Sequence, residues 1–435
     1  MTPHVSASSQ SPEPAPGRGP AVPARRFGRP PQRPAPRSGP GPQRPGRPQL
    51  PVPRGRRAVS ASGALDARVP QLPVRIGSPA ALLAAIPGLL GFAPGDSVVV
   101  VGTEPPGGQV RVTLRYDVPD PADPAAVRAL AGHAVSVLAA QQVRTALAVG
   151  YGAAAAVTPV ATALREQAAA AGIAVTELLR VAGGRYWSYV CSDPGCCPPD
   201  GTPFDPAGHP AALALGLAGG QVLGGRDELA ASIAAIGGQR GAAAARATRR
   251  AQARVARTAS RLGRAGQPVP PYQLVITLGL LAVQDAIRRC RDGKLAGTEQ
   301  AAWLTVALRE IRVRDDAWAR MEYQHRGAHL RLWAHLTRLA RPGYIAAPAS
   351  LLAFCAWQSG DGALANVALD RALADNPRYS MAVLLRQALD SGAPPSMARL
   401  PMTPEEVAAA YDAAEQGRHP TPRRGDDVRK GGMAG

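Results

Sequence analysis

Cys191, Cys196 and Cys197 place three of the chain's five cysteines within seven residues, in the run Cys191-Ser192-Asp193-Pro194-Gly195-Cys196-Cys197-Pro198-Pro199. Thiolates hold zinc and other soft cations, and Asp193 or His209 would supply a fourth ligand. Against a metal stands the spacing: structural zinc sites favour ligands two residues apart, the side chains of adjacent cysteines are expected to diverge, and the chain has no Cys-x2-Cys pair. The same thiols could instead form a redox pair, Cys191 with Cys196 or Cys197, which requires Cα atoms within about 7 Å of each other. A third reading, the leading one on sequence, makes them small buried residues that lock the loop to a sheet while Asp193 caps a turn.

Other residue sets invite chemistry less strongly. Gly150-Tyr151-Gly152 lies between a strand and a helix, where exposed backbone N–H groups can hold phosphate. It lacks a third glycine and a downstream acid, and no Gly-Lys-Ser/Thr sequence occurs, so an ordinary turn explains it better. Arg246, Arg250, Arg254, Arg257, Arg261 and Arg264 recur every three or four residues, with Arg249 alongside, so one helix face would carry them. Such a face could track a phosphate backbone or simply be solvated. His325, His329 and His335 lie on helical sequence with no Glu or Asp following closely and read as a polar helix face. Arg312-Val313-Arg314-Asp315-Asp316 has no partner carboxylate pair and no Ser-His arrangement around it, so no acid–base constellation is visible.

The elements that must position these residues follow from local signals. Ser78-Pro79 caps a helix that Pro87-Gly88 should interrupt, and Ser97–Gly102 is a β-branched run long enough for a buried strand. Residues 110–116 alternate apolar and polar and give a second strand. A helix over 124–142, a strand over 145–151, a helix starting at Pro159 and a strand over 173–181 then alternate. That order favours parallel pairing through crossover helices. Gly183-Gly184 turns the chain back into a hairpin partner over 185–190, which feeds the cysteine loop. A ligand pocket would then lie at the strand ends, near Tyr151, Arg185, Trp187 and His209.

From about Ala242 the pattern is helical to the end, and residues 348–377 have the small-residue spacing of a tetratricopeptide-like helical hairpin. The expected fold is an α/β N-terminal domain with a mostly parallel sheet and an added hairpin, followed by an all-α C-terminal domain, with disordered tails. The expected divisions are a Pro/Arg/Gly-rich tail over 1–70, an α/β domain over 71–238, an Arg-rich helix or linker over 239–268, a helical domain over 269–400, and a short helix and tail over 401–435.

Composition bounds the function classes. Aromatic residues make up only 4% of the chain, so the core must be built on Ala, Leu and Val. The formal charge is +19, and two stretches carry nearly all of it. Residues 1–70 hold twelve arginines against Glu13 and Asp66, and eight arginines with no acid lie between Glu228 and Asp285. Residues 1–50 hold no apolar run that could serve as a secretory signal, and no segment reaches the roughly 20 apolar residues of a spanning helix. The expectation is a cytoplasmic protein with reduced cysteines and no membrane partner.

Several blocks read together carry a resemblance. They are Ala81–Pro87 with Leu90-Gly91-Phe92-Ala93-Pro94 and Ser97–Val100, then Gly183–Tyr189 running into Cys191–Pro199, then Arg314-Asp315, and Leu351–Phe354 to Arg371–Leu373. In these the chain resembles the actinobacterial domain of unknown function 4192 family over roughly residues 74–395. The resemblance implies no activity and no catalytic residues. The functional expectation is therefore a non-catalytic protein-interaction or ligand-binding scaffold with an unidentified protein partner. An enzyme or redox sensor with its pocket near the cysteine loop is the alternative, and nucleic-acid binding through the Arg-rich segments is a further one. No cofactor is expected, zinc at the cysteine loop being the exception the residues admit.

Overall fold

The computed structural model describes residues 77–104, 109–217, 222–267, 269–398 and 402–418. The tails expected to be disordered lie outside the described residues.

Helix α1 (Pro79–Leu90) begins as its sequence dictates: Ser78 Oγ accepts from the Ala81 N–H at 3.2 Å, and Pro79 occupies a first-turn position where no intrahelical donor is needed. Pro87 does not end it. The helix runs on to Leu90 and stops where Gly91 takes a left-handed φ of 75°. Strands β1 (Ser97–Glu104) and β2 (Gln109–Asp117) follow, then α2 (Pro124–Ala140), whose Asp123 carboxylate caps the Ala125 and Ala126 N–H groups. Next come β3 (Thr145–Tyr151), α3 (Ala154–Ala170), β4 (Ala174–Ala182), β5 (Arg185–Ser188) and the short β6 (Thr202–Pro203). Helix α3 starts five residues before Pro159, which sits inside it among the buried Val157, Val160 and Ala161. Packing of that face outweighs the one backbone hydrogen bond a proline forfeits.

The six strands form one mixed sheet in the order β2-β1-β3-β4-β5-β6. Only β3 and β4 pair in parallel, and the other neighbours are antiparallel. The mostly parallel sheet expected from the strand–helix alternation is thus corrected. Four residues join β1 to β2, too few for the dozen or more that a crossover needs, so these strands must return antiparallel. The chain then passes over β1 through α2, and β3 lands on the far side of β1, running with β2 and against β1.

Each sheet face has its own cover. Val98, Val100, Ala146, Ala148 and Leu178 pack under α2 and α3. Val99, Val101, Val149 and Leu179 point the other way, into one buried cluster that continues through α1 into the C-terminal helices. Those helices are α4 (Pro210–Leu217), α5 (Arg226–Ser232), α6 (Gly238–Arg264), α7 (Pro271–Arg291), α8 (Thr298–Ala307), α9 (Ile311–Ala319), α10 (Arg326–Leu339), α11 (Ala346–Gln358), α12 (Gly362–Asp375), α13 (Ser380–Asp390) and α14 (Pro404–Arg418). One buried cluster thus includes residues on both sides of the division expected near residue 238. Residues 348–377 do form a helical hairpin. Helix α11 is buried from Ala346 to Trp357, and Ala353, Ala356, Ala365, Ala368 and Ala372 are buried along the hairpin.

Gly150 shows what this packing requires. A Cβ there would lie 2.2 Å from Val157 Cγ1, so the strand-to-helix glycine serves close approach of α3 to the sheet. Gly150→Ala should destabilise the fold by about 1–3 kcal/mol, the usual cost of overpacking. The expected result is a lower denaturant midpoint with an unchanged slope; an unchanged midpoint would show that Val157 can move aside.

Candidate metal centre

The cysteine loop leaves the sheet at the end of β5, and side chains of that strand build it. Ser188 Oγ accepts from the N–H groups of Val190 and Cys191 at 3.2 and 3.1 Å and so turns the chain off the sheet. Asp193 then folds the loop back: its Oδ1 accepts from the Gly195 N–H at 2.9 Å. Its carbonyl accepts from the N–H groups of both Cys196 and Cys197, at 3.1 and 2.7 Å. Beyond Pro198-Pro199, the Trp187 indole N–H donates to the Pro199 carbonyl at 2.9 Å and an Arg185 N–H donates to the Gly201 carbonyl at 2.7 Å. Arg180 lies over the Trp187 ring, 3.6 Å from its centroid, and holds the indole from the sheet side.

Gly201 completes the clamp. Its φ is +78°, and a Cβ would fall 2.5 Å from Trp187 Cε2. Gly201→Ala should therefore push the indole off the loop while the sheet and helical core remain. Near-ultraviolet circular dichroism of the tryptophans reads the first effect and far-ultraviolet circular dichroism the second. A parental near-ultraviolet spectrum would show that the indole stays in place.

The turn at Asp193 brings the three sulfurs together: the Sγ atoms of Cys191, Cys196 and Cys197 all lie within 4.8 Å of one another, and those of Cys196 and Cys197 are 3.9 Å apart. The expected divergence of the two adjacent cysteines does not occur. Nor are the three buried, since Cys196 is exposed and its partners are half-buried, which corrects the reading of small buried residues locking the loop. All three are free thiols. The buried cysteines are Cys290 and Cys355, whose thiols donate to the carbonyls of Ala328 and Arg326. Burial pushes both up, Cys290 to about 11 and Cys355 to about 12.

The electrostatics of the three loop thiols are asymmetric. The backbone N–H of Asp193 and hydrogen bonds from the neighbouring thiols hold the Cys191 thiol below its ordinary range. Cys197 moves the other way, to about 12, chiefly because its S–H serves the Cys191 sulfur. The loop thus presents one thiol whose ionisation is favoured beside another that donates to it. An ion with metal–sulfur bonds of about 2.3 Å in a tetrahedral site sets sulfurs roughly 3.8 Å apart, close to the Cys196–Cys197 separation.

Among the described residues, neither Asp193 nor His209 joins the three sulfurs. His209 Nδ1 accepts from the Ala211 N–H at 3.2 Å at the start of α4. Of the four residues expected around a strand-end pocket, Tyr151 lies on β3, Arg185 and Trp187 on β5, and His209 just before α4. Tyr151 pairs with Val181, and Val181 with Tyr186, so Tyr151 and Tyr186 share the face that packs on the helices. Arg185 and Trp187 alternate with Tyr186 and face the other way.

Residues 79–396 match the family described as Domain of unknown function (DUF4192), well over half of the chain. The chain belongs to the DUF4192 family. No curated protein and no solved structure matches it. The DUF4192 match spans the sheet, the cysteine loop and the helices up to the segment after α13.

Two further groups in this DUF4192 chain have surroundings that their sequence context does not announce. Asp315 accepts from Arg314 at 2.5 and 2.8 Å and from the Tyr411 hydroxyl at 2.7 Å, which ties α14 to α9. A cavity of about 110 Å³ lies beside this tie, lined by Trp318, Met402, Val407 and Tyr411. His329 is not on a polar face: it is 1% exposed, stacks on Trp333, and neither ring nitrogen has a partner among the described residues. His335 is half-buried and its Nε2 lies 2.8 Å from the Ala296 carbonyl. The signal that could have found His329 is its spacing to the apolar Leu332, Trp333 and Leu336, at three, four and seven residues, on the buried stripe of α10. No helix among the described residues is long and apolar enough to cross a membrane.

Proposed function

We propose that this protein binds a thiophilic metal ion, zinc in the first instance, through the thiolates of Cys191, Cys196 and Cys197, and that the fourth position of the ion takes a ligand from outside the loop. The observation that carries this reading is the convergence of three cysteine sulfurs, all within 4.8 Å of one another, at a spacing that suits a single ion. Three protein ligands with one open position is the arrangement of metal sites that bind or activate a small molecule. In this reading the protein is a metal-dependent ligand-binding module.

A redox pair is the rival use of the same thiols. Soft-metal coordination accounts for all three sulfurs, whereas a disulfide uses two and leaves the third without a role. The helical hairpin of residues 348–377 contributes rigidity in this reading. Its first helix is buried in the core, so the tetratricopeptide-like spacing builds a seam and offers no docking groove.

Titration of the reduced chain with cobalt(II) tests the proposal. A thiolate-to-cobalt charge-transfer band that saturates at one ion per chain, with tetrahedral ligand-field bands that shift when imidazole or azide is added, is the expected result. Absence of the charge-transfer band would overturn metal binding. Bands indifferent to every added ligand would overturn the open position.

A further inference from the structure

Helix α6 is 27 residues long and only its first half is built into the protein. Gly241, Ala244, Ala247, Thr248 and Ala251 are buried, and beyond Ala251 no residue of the helix is. At about 100° per residue, Arg246, Arg250, Arg254, Arg257, Arg261 and Arg264 fall within an arc of roughly 80°, centred about 120° from the buried arc. All six are exposed, and so is Arg249 beside them. Arg250 is paired with Glu299; the other five have no ion pair or hydrogen-bond partner among the described residues. From Arg246 to Arg264 the row extends about 27 Å at the helical rise of 1.5 Å per residue.

From this we infer that α6 is a docking surface for the phosphodiester backbone of a nucleic acid, independent of the cysteine loop. The exposed face offers arginine, alanine, glutamine and serine, with Val255 and Leu262 half-buried, and therefore no large apolar anchor of the kind that carries protein–protein affinity. A membrane surface fits no better. An interfacial helix needs an apolar face free to enter lipid, and the small-residue face of α6 is occupied by the protein's own core in its first half. What remains is a straight row of guanidinium groups, which suits the regularly spaced charges of a nucleic-acid backbone and reads no sequence. Five unpaired arginines would release the counterions of about five phosphates, giving log K against log salt a slope near −4.5 on a duplex.

The test uses the full chain and three labelled probes of one length: a DNA duplex, an RNA duplex and poly-glutamate. Fluorescence anisotropy is measured across a salt series. The parent should bind one or both duplexes with the slope above, the two arms showing which backbone is preferred. The fourfold variant Arg246→Gln, Arg254→Gln, Arg257→Gln, Arg261→Gln should flatten the slope by about 3–4. A charge-matched control carries Arg18→Gln, Arg25→Gln, Arg26→Gln and Arg29→Gln in the N-terminal segment. Flattening confined to the helix variant, or larger there, supports the surface. Equal loss in both variants would assign binding to net charge and overturn it, as would a parent that ignores both duplexes or prefers poly-glutamate.

Discussion

Between pH 6.5 and 4 the protein should lose up to about 3 kcal/mol of stability, and replacing His329 should remove that loss. The imidazole is buried against Trp333 with no partner for either nitrogen, and desolvation lowers its pKa from 6.5 to about 4. Arg291 of α7 and His325 add to the lowering, whereas Glu322 opposes it. The sign follows from linkage. In this window the unfolded chain binds a proton at His329 that the folded chain refuses, so stability is fully present above 6.5 and falls with pH until the folded group also titrates near 4. The shift of about 2.5 units corresponds to roughly 3 kcal/mol. Urea unfolding of the parent and of His329→Phe at several pH values isolates the histidine, because carboxylates that titrate in the same range are common to both chains. Parallel curves for the two proteins would show that His329 does not titrate on unfolding.

The second large effect concerns the sulfurs. Cys191→Ser or Cys197→Ser should each lower zinc affinity by more than about 100-fold, since loss of an outer-shell partner alone costs 10–100-fold and these substitutions remove a ligand. Metal uptake should also release protons. Cys197 holds its proton up to about 12 in the free loop, so coordination at pH 7.5 must expel it, and affinity should rise with pH. Calorimetric titration with zinc in two buffers of different ionisation enthalpy should give at least about one proton released per ion, falling in Cys197→Ser. Release that does not change in that variant would place the ion elsewhere.

How much of this could be read from the chain depends on how local the cause is. Ser78-Pro79 and Asp123-Pro124 announced their helices because a capping oxygen and an N-terminal proline act within one turn. Gly183-Gly184 announced the β4–β5 hairpin for the same reason, both glycines having positive φ. Pro87 and Pro159 misled because buried side chains elsewhere hold their helices together. The sheet's direction was hidden in the short β1–β2 connection, whose consequence appears only when β3 is placed across β1. At the site, the cysteine cluster was visible as composition, but its convergence depends on one carbonyl, that of Asp193, accepting from two consecutive N–H groups. The tie of Tyr411 to Asp315 spans 96 residues and has no local signal.

The most direct test of the metal centre is the zinc content of the intact, reduced chain after equilibration with zinc and removal of the excess. One zinc per chain in the parent, and none in the triple variant Cys191→Ser, Cys196→Ser, Cys197→Ser with its helical circular dichroism intact, is the predicted result. A parent that emerges without zinc, or a triple variant that retains it, would contradict a three-thiolate centre.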